Sequence, residues 1–205
     1  MKIRAGLWLA ILVAGFSPSS GGAAPAEPAP ATIRGACDVA FLITSTLHDV
    51  PGSARCLPFA AVLGRDAAGR PVIPTVEVEV PVAGMDTRNT TRDGKMRRMF
   101  LSDRFPRIHA AAHDVDVERL RVETGKGREG LASIDLLLRI RDVERKVRAT
   151  AGNLKESGER VTFDLEFPVS LGEFDLKPPS VLGIIRVGDK VSVKATFTLT
   201  VSRSP

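Results

Sequence analysis

The chain has 205 residues, a formal net charge of +5 and 43% hydrophobic residues, yet only one Trp, nine Phe and no Tyr. So small a positive surplus does not describe a nucleic-acid surface. So few rings also deny sugars and single-stranded nucleic acids their usual stacking platforms. The apolar residues are therefore aliphatic plus Phe, which suits an ordinary core and equally a wall for an alkyl or isoprenoid ligand.

Residues 1–26 have the order of a secretory signal peptide. Lys2 and Arg4 come first, Gly6 to Phe16 is almost wholly apolar, and Ala24-Pro25-Ala26 offers an A-x-A cleavage pattern before Glu27. The apolar run is about half of the roughly 20 residues a membrane span needs, and no Cys follows it to carry a lipid anchor. Export to the periplasm is the expectation, with no stable membrane span. Removing residues 1–26 deletes two bases and no acids, so the charge falls from +5 to +3 and 179 residues remain. That length suits one domain with its own core. Residues 27–35 are rich in Pro and Ala and read as a flexible leader, with the domain over 36–203.

Beyond the leader the hydrophobic period becomes two, as in strands with one buried face. Val76-Glu77-Val78-Glu79-Val80 is the clearest run. Ile134 to Ile140, Val161 to Phe167 and Val191 to Ser202 repeat it. Weaker strands fit Val39–Thr46, Gly52–Leu63, Arg107–Asp114 and Val143–Ala151, and a short one fits Leu120–Glu123. Asp66-Ala67-Ala68-Gly69, Arg141-Asp142 and Glu156-Ser157-Gly158 supply turn chemistry. Several such strands suggest an all-β sandwich or barrel, and about eight of them fit an eight-stranded antiparallel barrel wide enough for one small ligand. No internal repeat or domain boundary interrupts it.

Between Thr87 and Asp103 the alternation stops. Asn89 or Thr90 can cap a helix there, with Met96, Met99 and Phe100 on one face and Arg92, Lys95, Arg97 and Arg98 around it. This short helix would close one end of the barrel. Pro178 to Ile185 is too apolar for a free loop and predicts a helical turn against the cavity. Cys37 and Cys56 invite a disulfide in an exported protein. A hairpin turning near His48-Asp49, however, sets Cys37 opposite about residue 60, an offset of roughly 13 Å and too far to bridge. A bulge at Leu57-Pro58 would close the gap; the alternative is two buried thiols.

Four stretches, in order, resemble the YceI-like family of polyisoprenoid-binding, lipocalin-like envelope proteins. STLHDVPG (45–52) resembles the family's first hairpin. VEVPVAGMDT (78–87) leading to TRDGKM (91–96) resembles its Asp-Thr and Arg-Asp-x-His-Leu stretch. RFPRIHA (104–110) resembles its Tyr-Pro-x-Ile-x-Phe entry to the next strand, and VGDKVSVKATFTLTV (187–201) its closing strand. The chain departs from that pattern at Lys95 (His), Phe105 (Tyr) and Ala110 (Phe). The resemblance spans about residues 36–202. It implies a lipocalin-like barrel with a helical lid and a long amphiphile in the bore, and it does not fix one shared ligand.

Strand parity, with Phe100 from the helix face, then names the wall of such a bore: Phe41, Ile43, Val76, Val78, Val80, Phe100, Ile108, Leu136, Leu138, Phe163, Leu165, Val193, Phe197 and Leu199. A slip of one residue would turn any of these strands inside out. Small inward residues at Ala110, Ala112, Ala149 and Ala151 leave volume unless Phe163 and Phe197 fill it. His48, Arg92, Lys95, Arg97 and Arg98 are the candidate head-group residues, able to pair with a phosphate while the tail fills the bore.

Other motifs carry less. Gly125 to Gly130 matches G-x-G-x-x-G but precedes a strand rather than a helix, so it reads as a turn. His109 and His113 would stand about 13 Å apart along a strand, too far for one metal ion. Ser45, His48, Asp49 and Ser53 lack the geometry of a hydrolytic triad, and Asn89-Thr90-Thr91 is a formal glycosylation sequon. The expectation is thus a periplasmic carrier or buffer for a hydrophobic or amphiphilic lipid, with no enzyme activity, cofactor, metal or nucleic acid. A filled barrel acting as a protein-interaction scaffold in the envelope is the alternative. No feature of the sequence sets an oligomeric state.

Overall fold

The computed structural model describes residues 31–45, 48–125, 131–177 and 187–202. The predicted signal peptide, residues 27–30 of the leader, Pro178 to Ile185 and residues 126–130 of the glycine-rich run lie outside the described residues.

The strands are β1 (Ala31–Ser45), β2 (Val50–Arg55), β3 (Phe59–Arg65), β4 (Pro71–Pro81), β5 (Arg107–Asp116), β6 (Ala132–Ile140), β7 (Val143–Ser157), β8 (Arg160–Ser170) and β9 (Val187–Ser202). Helix α1 (Thr90–Phe100) follows β4, and α2 (Val117–Thr124) joins β5 to β6. All pairings are antiparallel, and β1 also pairs with β9 from Thr32↔Ser202 to Ser45↔Val187, so the sheet closes on itself. Closure removes the exposed edges an open sheet would present.

β2 and β3 are two halves of one stave. β2 pairs with β1 at Asp38–Ile43 and β3 pairs with it at Ala31–Gly35. Between them Pro58 has no N–H for the ladder, and the Leu57 amide donates instead to the Glu79 carbonyl of β4 at 2.8 Å. The barrel is therefore the eight-stranded one the alternation predicts.

Three expectations need correction. Residues 31–35 are not leader: Ala31 and Ile33 are buried in β1, which pairs there with both β3 and β9. Leu120–Glu123 is not a strand but part of α2. Four residues are too few to separate a period of two from 3.6, and the decisive signal was Asp116, whose carboxylate caps the helix by accepting from the Arg119 amide at 2.9 Å. The first hairpin turns ahead of His48-Asp49, with Ile43 opposite Val50. That register brings Cys37 and Cys56 together with Cα atoms 5.3 Å apart, and they form a disulfide. The four-residue offset does not exist.

The helix at 90–100 forms where the alternation stops. Asn89 caps it by accepting from the Arg92 amide at 2.9 Å, and Leu101 ends it at φ 51°. Asn153 (φ 56°) marks a bulge in β7, across which the inward positions change from Ala149 and Ala151 to Leu154 and Glu156.

Candidate functional site: the bore of the barrel

The inward side chains surround one cavity of about 390 Å³. Native cores hold few voids larger than a water molecule, whereas small-molecule sites run from about 300 to 1,000 Å³. The volume falls in the second class. Val76, Val78, Val80, Ile108, Phe163, Val193 and Leu199 all line the cavity and are only partly buried, so the surface they keep is bore surface. Ile43 is likewise partly buried, while Phe41, Phe100, Leu136, Leu138, Leu165 and Phe197 are buried on the same wall. All fourteen expected wall residues, thirteen from strand parity and Phe100 from the helix face, face one space.

The rings do not fill it. Phe163 stacks on Phe197 with centroids 5.0 Å apart and planes 7° from parallel, and Phe59 meets Phe197 edge-on at 6.1 Å. They pack against one another, while Ala110, Ala112 and Ala151 keep their part of the wall shallow. Ala149 is fully buried and off the wall. Gly52 stands opposite Phe41, whose ring occupies the space a Cβ would need. That contact explains a glycine inside a strand.

The end beneath α1 is closed by packing. Met96, Phe100, Val82, Leu171, Phe174 and Leu176 are all buried there in one cluster. The described polar groups on this part of the wall belong to Ser45, Thr87 and Arg92. Asp93, buried, accepts from the Thr87 amide at 3.0 Å and the Thr87 hydroxyl at 2.5 Å. Arg92 donates from Nε to Thr87 Oγ1 at 2.8 Å and from Nη2 to the Thr87 carbonyl at 2.6 Å. Buried polar groups that are this fully paired fix one arrangement. Parity reasoning missed Thr87 and Asp93, which sit in a turn and on a helix; the Asp-Thr and Arg-Asp stretches were their signal.

The candidate head-group residues are not brought together. Arg92 lines the cavity, but Lys95, Arg97 and Arg98 do not. Spacing around a helix separates them, since Met96, Met99 and Phe100 take the inward face. His48 is exposed in the first hairpin, and the Ser45 hydroxyl donates to its carbonyl at 2.6 Å.

The opposite end lies beneath α2, where the wall includes Leu120, Arg121, Thr124 and Glu156. Arg121 holds the Glu156 carboxylate at 2.8 and 2.7 Å, and this hydrogen-bonded pairing raises the guanidinium pKa above its ordinary value. Among the described residues no cluster of three or more His, Cys, Asp and Glu could hold a metal ion. His109 instead meets Glu79 at 3.2 Å, and His113 meets Thr75 at 3.1 Å. No described helix is long and apolar enough to cross a membrane. The outer face carries ion pairs such as Asp135 with Lys146 and Asp164 with Lys194, both at 2.8 Å. Polar outside and greasy inside is the reverse of a porin-type barrel.

A family model described as the YceI-like domain matches residues 43–199. The chain belongs to the YceI-like family. Among solved structures, Burkholderia cenocepacia BcnA superposes with a TM-score of 0.57 at 13% identity, covering 79% of this chain and 95% of that one. A polyisoprenoid-binding domain from Saccharophagus degradans, implicated in plant cell wall breakdown, gives 0.54 at 13% identity, covering 83% and 98%. At that identity the likeness to both is one of fold. No curated protein matches the sequence. Within this YceI-like barrel the quoted stretches have structural reasons: Gly52 beneath a ring, and Thr87 and Asp93 in a buried network beside the bore.

Proposed function

We propose that this YceI-like barrel is a periplasmic carrier or buffer for a long amphiphilic or isoprenoid-type lipid, whose apolar tail lies in the bore. One observation carries the reading: inward side chains that keep accessible surface around an apolar cavity of about 390 Å³. Burying roughly ten methylenes at about 0.8 kcal/mol each yields about 8 kcal/mol before the costs of association, so a micromolar Kd is the upper bound on affinity for a tail of that length and tighter binding needs more buried carbons. The fold shared with a polyisoprenoid-binding domain agrees with this ligand class. Export is supported by the basic and apolar start of the chain, and the Cys37–Cys56 disulfide fits an oxidising compartment. A binding role rather than catalysis fits the wall, whose described polar groups include no His or Cys and no Ser–His pair.

The test is native mass spectrometry of the mature protein, taken from a periplasmic extract without detergent. The reading expects a bound mass of several hundred daltons that organic solvent removes and fragmentation identifies as a lipid. A clean apo mass, unchanged after incubation with polyprenyl lipids and quinones, would instead favour the scaffold.

A further inference from the structure

The two ends of the bore are closed by different means, and the wall is weakest on one flank. β4 and β5 pair along their whole length, from Val72↔Asp116 to Pro81↔Arg107, and β6 pairs with β7 from Ala132 to Ile140. β5 and β6 pair only at His109↔Arg139, Ala110↔Leu138 and Ala111↔Leu137. Toward the α2 end their ladder is open. A second, polar pocket of about 420 Å³ sits at this gap, with His113, Asp116, Arg119, Ser133, Asp135 and Arg148 on its sides. Its remaining apolar residues include Val115, Leu120 and Ile134, and these three also line the bore. A single layer of side chains separates the two spaces.

Opening cost differs between the ends. At α1 it would expose a cluster that includes Val82, Phe174 and Leu176, each at most 2% accessible, and would break the Thr87–Asp93–Arg92 network. At α2 the buried residue is Thr124. The helix is held by the partly buried Leu120 packed on the core, by the exposed Arg121–Glu156 pair and by a long contact of 3.4 Å from Arg119 to the Ser133 carbonyl. Exposed ion pairs hold weakly, whereas large buried apolar side chains hold strongly.

We propose that the amphiphile enters tail-first, and leaves head-first, through a side portal between β5 and β6 beneath α2. Val115, Leu120 and Ile134 are its gate, and the polar pocket outside is the subsite for the head group. This rests on the lipid reading above. The pocket's charges are mixed and largely paired: Arg148 meets Asp135 at 3.3 Å and Asp116 meets Arg70 at 3.7 Å. It therefore suits a neutral or zwitterionic head with several hydrogen-bonding groups better than a diphosphate. Tail-first entry also spares a polar head the passage through an apolar bore.

The test pins α2. The double variant Arg121→Cys/Glu156→Cys is tethered with a short bismaleimide and compared with the same protein capped by N-ethylmaleimide. The buried Cys37–Cys56 disulfide does not react with either reagent. The probe is farnesylamine carrying dansyl at its polar end. Tethering is expected to slow uptake and release at least tenfold each relative to the capped form, in which the same two wall positions are altered. Equal exchange rates in the two forms would overturn the portal and leave the carrier standing, whereas failure of the untethered wild type to bind the probe would overturn both. The residues from 27 onward contain neither Trp nor Tyr, so Ser133→Trp and Met99→Trp each report on one end of the bore. Stronger energy transfer to dansyl from position 133 is expected, and stronger transfer from position 99 would overturn the head-group subsite.

Discussion

Ala110→Phe separates a hollow barrel from a filled one, because the two readings predict opposite signs. Ala110 lies mid-strand in β5 between Val78 and Leu138, faces the bore and is only partly buried. A benzyl side chain there enters the cavity of about 390 Å³ instead of protein atoms. In the apo protein the ring fills empty space, so the urea midpoint should hold or rise. In a filled core the same insertion would cost about 1–3 kcal/mol. For ligand the ring is a competitor. If it displaces roughly four tail carbons at about 0.8 kcal/mol each, binding loses about 3 kcal/mol, or about a hundredfold in Kd. The assay is a urea titration of the apo variant followed by native mass spectrometry after loading with a polyprenyl lipid. A midpoint that drops by the overpacking cost, or a Kd within threefold of wild type, would refute the reasoning that this stretch of wall borders a ligand space.

Two further outcomes rest on the frame of the barrel. Replacing the disulfide with Cys37→Ala/Cys56→Ala frees a loop with a sequence separation of 19 residues; the loop-entropy relation predicts a loss of about 3 kcal/mol, read as a lower urea midpoint, with a slope that holds or steepens as the denatured chain expands. Asp189 accepts from the Ser170 hydroxyl at 2.5 Å and the Gly172 amide at 2.7 Å, and these two bonds hold its pKa below the ordinary carboxylate value. A depressed folded pKa contributes stability above the unfolded value, and that contribution disappears as pH falls through the folded one. Asp189→Asn should therefore flatten the acid side of the stability–pH profile and leave its shape above pH 6 unaltered; an unchanged acid limb would show that Asp189 does not contribute to it.

The staves were legible because they obey a period of two over many residues, and a buried face repeats its demand at every second position. Val76 to Val80 and Val191 to Val201 could hardly be read otherwise. What escaped was decided by single contacts. Leu120–Glu123 alternates over four residues, but a cap at Asp116 starts a helix. The Cys37–Cys56 pair turned on where one hairpin reverses, and moving the turn ahead of His48 converted an impossible span into a Cα separation of 5.3 Å. The head-group candidates on α1 failed for a third reason. A basic cluster in sequence is spread around a helix in space, so one of its four residues, Arg92, reaches the wall.

The same distinction between repeated and single demands sorts the three departures from the family's pattern. Lys95 lies on α1 away from the wall, and Phe105 packs under the Arg104 guanidinium, 4.9 Å from the ring centroid, also off the wall. Changes at those positions can alter how the lid is held without touching a ligand. Ala110 is different: it exchanges a ring for a methyl on the bore surface itself, beside Val78 and Leu138. A wall that loses a ring gains room for a bulkier or differently bent tail at that depth, while the frame of β4, β5 and β6 is unchanged. Of the three departures, Ala110 is thus the one on the bore surface, where the lipid range of the proposed carrier would be set. A relative with Phe at this position should accept a slimmer tail, and Ala110→Phe should narrow this chain's range toward it.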